Sequence, residues 1–257
     1  MEENFRELRT RAQVIGKHLR QLYPEAACPL THEDPVQLLT ATILSAQCTD
    51  ARVNQVTPAL FARFPDARSF AEADQAELEG LIRSTGFFRN KARNIIACCK
   101  ALMAKHEGKV PWTMEELVAL PGIGRKTANV VLGHAYSIPG ITVDTHVGRL
   151  SRRLGLTVHH DPVKVEKDLM AILPEADWSS FSMRLIFHGR SVCFARKPLC
   201  SECRLALVCP KVGVEMPNKT KHAGEKSSSV SVKAKGRGRG ALPRKADSPA
   251  RSGRSGR

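Results

Sequence analysis

The chain has 257 residues, with 40 Lys plus Arg against 25 Asp plus Glu, a formal net charge of +15. A charge of that sign and size points to a polyanionic partner, nucleic acid or an anionic surface, and leaves fold and chemistry open. No run of about 18 or more apolar residues occurs and the first segment is charged throughout, so neither a transmembrane helix nor a secretory leader is expected.

The elements read as helices in chain order. The N-terminal segment MEENFRELRTRAQVIGKHLRQ has helical period. Asp34-Pro35 supplies an N-cap acceptor followed by proline at the first helical position, and Val36, Leu39, Thr40, Ile43 and Leu44 fall on one face that should be buried. That helix runs out in Ser45-Ala46-Gln47-Cys48-Thr49-Asp50, with Gln47 where apolar residues give way to polar ones. Asp74-x-x-Glu77 and Thr113-x-x-Glu116 fit capping boxes. A short helix from Thr113 to Ala119 and a longer one from Lys126 to about Tyr136 flank a tight turn, and Asp161-Pro162 starts another helix before Val163, Val165, Leu169 and Ile172. Strand alternation with Asn-Gly or Asp-Gly turns is absent, and Ile141-Thr142-Val143 is too isolated to build a sheet, so the expectation is an all-α protein. From residue 211 onward the composition turns to Lys, Ser, Gly, Arg and Pro, with 13 Lys plus Arg and 3 acidic residues, which reads as a disordered basic tail.

Three constellations carry chemistry. The turn Leu120-Pro121-Gly122-Ile123-Gly124-Arg125-Lys126 joins two helices through closely spaced glycines. Glycine there permits positive φ and lets a phosphodiester approach the backbone at a helix start; an ordinary turn between helices would use the same residues. Lys126 falls in the first turn of the second helix, where positive potential and partial burial would favour the neutral, nucleophilic amine, and the alternative is a lysine in solvent or on a phosphate. Eighteen positions on, in Val143-Asp144-Thr145-His146-Val147-Gly148-Arg149, Asp144 fits a general base or a stabiliser of positive charge, and equally a plain helix N-cap.

The third constellation is Cys193-x6-Cys200-x2-Cys203-x5-Cys209, half of the chain's 8 cysteines. Four thiolates so close suit either zinc or a [4Fe-4S] cluster, and the presence of a single close Cys pair tilts the spacing toward iron and sulfur. Within it, Phe194-Ala195-Arg196-Lys197-Pro198 places Arg196 and Lys197 beside an aromatic, a second phosphate contact or a solvated loop. Cys28, Cys48, Cys98 and Cys99 follow no ligand spacing and read as buried or half-buried thiols.

LPGIGRKTANVVL, VDTHVGRL and the four-cysteine run, in that order, resemble the endonuclease III family, the bifunctional DNA glycosylases of the helix-hairpin-helix superfamily. The resemblance extends over about residues 25–210 and includes ILSAQCTD and STGFFRNKARNI. It implies a two-domain all-α fold: an N-terminal helix in 1–24 packing on the cluster domain, a helical barrel with the hairpin in 25–135, a C-terminal iron–sulfur domain in 136–210, and the tail 211–257. It further implies a soluble monomer of the cytoplasm and nucleoid, without a membrane role, acting on double-stranded DNA with damaged pyrimidines or abasic sites. By the same resemblance Lys126 is the nucleophile, Asp144 its assisting acid, Cys193, Cys200, Cys203 and Cys209 the cluster ligands, and Gly122, Ile123 and Gly124 a phosphate grip. Gln47 would fill the gap left by an extruded base and Phe87, in Gly86-Phe87-Phe88, would wedge near the opposite strand, unless the phenylalanines are core residues. The related adenine-removing mismatch glycosylases typically lack a lysine at the hairpin position, so Lys126 points away from them. Another lesion preference within the same chemistry, for pyrimidine dimers or mismatched thymine, and a noncatalytic DNA-binding protein are the competing readings.

Overall fold

A computed structural model describes residues 5–215; the basic tail beyond Glu215 lies outside the described residues. The order is α1 (Phe5–Leu22), α2 (Pro35–Leu44), α3 (Asp50–Arg63), α4 (Ala67–Ala71), α5 (Gln75–Ile82), α6 (Phe88–His106), α7 (Met114–Val118), α8 (Arg125–Ala135), α9 (Thr145–Arg153), α10 (Pro162–Ile172) and α11 (Trp178–Ser191), with 3₁₀ turns at Arg83–Thr85 and Glu175–Asp177. Among the described residues there is no strand, and no helix is long and apolar enough to cross a membrane.

Helix starts follow local chemistry. Asp34 accepts from the Val36 and Gln37 N–H groups, Asp161 from Lys164 N–H, and Pro35 and Pro162 occupy first-turn positions where a missing N–H costs nothing. Asp74 and Thr113 cap α5 and α7 as expected, but a reciprocal box forms at Asp66 and Ser69 instead. The Thr113 hydroxyl donates to the Glu116 carboxylate, so that glutamate serves its cap from the side-chain end.

The apolar side chains gather in two cores. The first runs from Leu30 to Leu132 and draws on α2 to α8; the second joins Ala12, Ile15 and Leu19 of α1 to residues of α9, α10, α11 and Leu205. Helix α2 is buried from Leu38 through Leu44, on all sides rather than on one face, because α3, α6 and α8 all pack against it. Val163 departs from its expected place on the buried stripe: it is exposed in the first turn of α10, ahead of Val165 and Leu169, which are buried. Cys98 and Cys99 lie in the first core and Cys28 and Cys48 at its margin, and burial holds the Cys98 and Cys99 thiols up at about 12.

Candidate active site and cysteine cluster

The hairpin turn is built by its glycines for different reasons. Gly122 has φ +76°, and a Cβ on it would lie 2.9 Å from Cγ of Asn94, so both backbone and neighbour require glycine. Gly124 is the N-cap of α8 with no side-chain cap, and a Cβ there would meet nothing within 4 Å; its face is open to an approaching group. Ile123 between them sends its side chain into the first core and its N–H to Leu120 O at 3.2 Å.

Helix α8 is anchored at its first residue. Arg125 donates from Nε and Nη2 to the Glu166 carboxylate of α10, at 2.6 and 2.9 Å, and buried Asn129 adds a bond to Glu166 Oε1 at 3.2 Å and one to Ile141 O at 3.1 Å. Glu166 is buried, and a two-pronged guanidinium with an amide satisfies its oxygens. This fixes the turn that carries the next residue, Lys126.

Lys126 and Asp144 line one cleft of about 450 Å³, together with Val143, Thr145, Gly148, Arg149, Arg152, His160 and Pro162. The partial burial expected of Lys126 is not observed: the second position of α8 points outward, and its side chain is exposed. Asp144 is the N-cap of α9, its Oδ1 accepting from Val147 N–H at 2.8 Å, so the cap reading holds whatever else the carboxylate does. Asp144, Gly148 and Arg152 repeat every four positions and so share a helix face. That spacing is the signal by which Arg152 is legible in the sequence.

Behind the cleft, Arg149 donates from Nη2 to Gly189 O at 3.1 Å and Cys193 O at 2.9 Å. His146 packs so close to Gly189 that a Cβ there would lie 2.6 Å from His146 Nδ1. Burial lowers the His146 pKa, opposed by the nearby Asp144 charge and reinforced by Arg149 and Arg190.

The four clustered cysteines line a second, small cavity of about 30 Å³ with apolar residues including Leu150, Leu154, Val192 and Leu205. Burial pushes the Cys203 and Cys209 thiols up, and the neighbouring sulfurs push in the same direction. Thiolates can therefore persist there only beside compensating positive charge. His188 is buried, held at about 4 by desolvation and so neutral near pH 7; its Nδ1 is 3.0 Å from Tyr23 Oη and its Nε2 3.4 Å from Cys203 Sγ. Arg153 ties the cluster loop to α9, donating to Cys193 Sγ at 3.4 Å, Phe194 O at 2.6 Å and Ala195 O at 2.8 Å. Arg196 and Lys197 are exposed at the tip of that loop, with Lys197 at φ 50°.

Gln47 and Phe87 both take left-handed backbone, on two other loops. Gln47 is exposed at φ 52° just after α2, and Phe87 is 63 % exposed at φ 50° just before α6, which removes it from the core.

An all-α chain with a Gly-Ile-Gly hairpin, a lysine and an aspartate on one cleft and a four-cysteine loop has the make-up of a base-excision repair protein. The family model of the HhH-GPD superfamily base excision DNA repair proteins matches residues 40–175. Endonuclease III of Synechocystis is 60% identical over 201 residues, covering 78% of this chain and 92% of the relative. Two solved structures, a non-covalent endonuclease III–DNA complex and a trapped endonuclease III–DNA covalent intermediate, each give a TM-score of 0.75, at 45% and 44% identity, covering 79% and 82% of this chain and 95% and 97% of theirs. The chain belongs to the endonuclease III family of base-excision-repair enzymes, the bifunctional DNA glycosylases and AP lyases.

Proposed function

We propose that this enzyme removes oxidised pyrimidines from duplex DNA through a Schiff base on Lys126 and then cleaves the strand by β-elimination. The observation that carries the reading is the meeting of Lys126 and Asp144 on one cleft, from helices belonging to different cores. Those cores serve as the two domains, and a duplex lying across the cleft would meet the open face of Gly124 and the first turn of α8. The related structures support this partner, since both were determined with DNA.

The target nucleotide leaves the stack, Gln47 and Phe87 enter the space vacated, and the Lys126 amine attacks C1′ as the C1′–N bond to the base breaks. Asp144 stabilises the positive charge that develops on the sugar and accepts the proton lost by the amine. The departing base takes up a proton from solvent, Asp144 passes its proton to O4′ as the C1′–O4′ bond breaks and the imine forms at C1′, loss of a C2′ proton then expels the 3′ phosphate, and water hydrolyses the imine to free Lys126. Arg152 lines the same cleft and suits a flanking phosphate, as do Arg196 and Lys197 on the cluster loop, while Arg149 is held to the Gly189 and Cys193 carbonyls. The place of action is the cytoplasm, on nucleoid DNA, as a monomer.

Cys193, Cys200, Cys203 and Cys209 would hold a [4Fe-4S] cluster. The four residues line one cavity, and their spacing, with Cys200 and Cys203 as the single close pair, suits an iron–sulfur cluster better than zinc. When bound, the cluster supplies the positive iron that balances four thiolates and fixes the loop bearing Arg196 and Lys197. The purified protein is expected to be brown, with broad absorbance near ~400 nm; a colourless protein with stoichiometric zinc would overturn this assignment.

Borohydride trapping on end-labelled duplexes tests the main reading, one duplex holding an oxidised pyrimidine and the other an abasic site. Covalent bands on both are expected. A band on the abasic duplex alone would leave the lyase and remove the lesion assignment.

A further inference from the structure

We propose that Lys91 is a positioning residue for base extrusion, its buried ammonium fastening together the two loops that present Gln47 and Phe87 to the duplex. The proposal rests on the reading that those two side chains enter the DNA. Lys91 stands in the first turn of α6, yet its side chain runs inward and only 4% of the residue is exposed. Burying an ammonium is costly unless its donors are satisfied, and here Nζ donates to Leu44 O at 2.8 Å and to Thr85 O at 2.8 Å.

Those acceptors are placed to matter. Leu44 is the last residue of α2, where the final carbonyls lack intrahelical donors and the helix dipole is negative. Thr85 ends the 3₁₀ turn before Gly86. Three residues after Leu44 the chain reverses at Gln47 with φ 52°, and directly after Thr85 it passes through Gly86 at φ 69° and Phe87 at φ 50°. Left-handed backbone at a non-glycine residue persists when its surroundings over-determine it. Gln47 and Phe87 are exposed, and a constraint reaches their loops from behind, through carbonyls that face each other across one ammonium. The Lys91 main chain adds to it, its N–H donating to Phe87 O at 3.1 Å.

Lysine suits this task because it presents several donors on a compact head and a long stem, and the stem crosses apolar surface. Lys91 is absent from the residues lining the Lys126–Asp144 cleft, so its influence on chemistry runs through the loops. Extrusion of a paired base breaks its pairing and stacking, and two wedges held at a fixed separation meet that cost without ordering themselves at the moment of binding.

The test compares Lys91→Met and Lys91→Arg with the unaltered enzyme on a duplex bearing an oxidised pyrimidine and on a duplex bearing an abasic site, where less stacking must be broken. Excision of the intact lesion by K91M is expected to fall about tenfold or more, cleavage of the abasic duplex by less than about threefold, and K91R to recover most of the loss. Hydrogen exchange on the same proteins should quicken at residues 46–48 and 86–87 in K91M, with the remaining helices unchanged. Lys91→Gln takes the place of K91M should that chain not fold. Equal losses on both duplexes, or faster exchange spread through the first core, would reduce Lys91 to a structural residue and overturn the proposal. Gln47→Ala and Phe87→Ala run alongside: if they lower the lesion-to-abasic ratio and K91M does not, the Lys91 role fails alone. If neither changes the ratio, the insertion reading itself fails.

Discussion

Lys126→Ala is expected to lower strand cleavage by about 10⁴-fold or more and to remove the borohydride-trapped band on both duplexes, with affinity for an uncleavable abasic-analogue duplex changed by less than about tenfold. The separation of chemistry from binding follows from the geometry. Lys126 is exposed at the second position of α8, so truncation opens no cavity, and alanine is a good helix former. The neighbouring clamp of Arg125 on Glu166 and the turn at Gly122 are untouched and continue to hold the hairpin. What is lost is the amine proposed to become covalent. Lys126→Arg sharpens the comparison, because the guanidinium keeps the positive charge and stays protonated, which bars it from imine formation. K126R should bind DNA at least as well as K126A and trap equally little. Trapping that survives in both variants would move the nucleophile to another group and end the present assignment.

How much of this could be read in the sequence depended on the range of each interaction. Caps are local, and Asp34, Thr113, Asp144 and Asp161 all accept from N–H groups two or three residues on, where the sequence places them. Helical class and the hairpin glycines were legible for the same reason. The burial of α2 on every side was not, since it depends on helices that arrive later in the chain and leave no trace in the period of Pro35–Leu44. The exposure of Lys126 is not legible, because proximity to a helix start says little about which way the first turn faces. Long-range polar pairs carried no signal: Arg125 meets Glu166 41 residues on, Arg149 meets Cys193 44 residues on, and the Lys91 ammonium reaches Leu44 47 residues back. A helix lysine in an exposed-looking segment, RNKARN, reads as solvent-facing until the carbonyls that claim it are located. The four cysteines stood out by spacing, but His188 and Arg153, which touch their sulfurs, did not.

Asp144→Asn divides the observed cap role of this carboxylate from the role in catalysis proposed for it. The Oδ1 bond to Val147 N–H at 2.8 Å requires an acceptor oxygen and no charge, and asparagine is as good an N-cap as aspartate. D144N should therefore melt within about 2 °C of the unaltered protein, while Asp144→Ala, which removes the cap, should lose about 1 kcal/mol of stability. Excision is expected to fall by about 10²- to 10⁴-fold in both. The reason lies in the company that Asp144 keeps: Arg149 and Arg152 are cationic, and among the described residues lining the cleft Asp144 alone is acidic. As the bond to the base breaks, positive charge grows on the sugar in a cleft otherwise disposed to repel it, and one fixed carboxylate at a helix start is what can oppose that field. Neutralising it costs the transition state more than the ground state, so the loss should appear in kcat with KM little altered. Should D144N excise at the normal rate while D144A is merely less stable, Asp144 is a cap and nothing more, and the charge on the sugar must be met by the phosphates of the DNA itself.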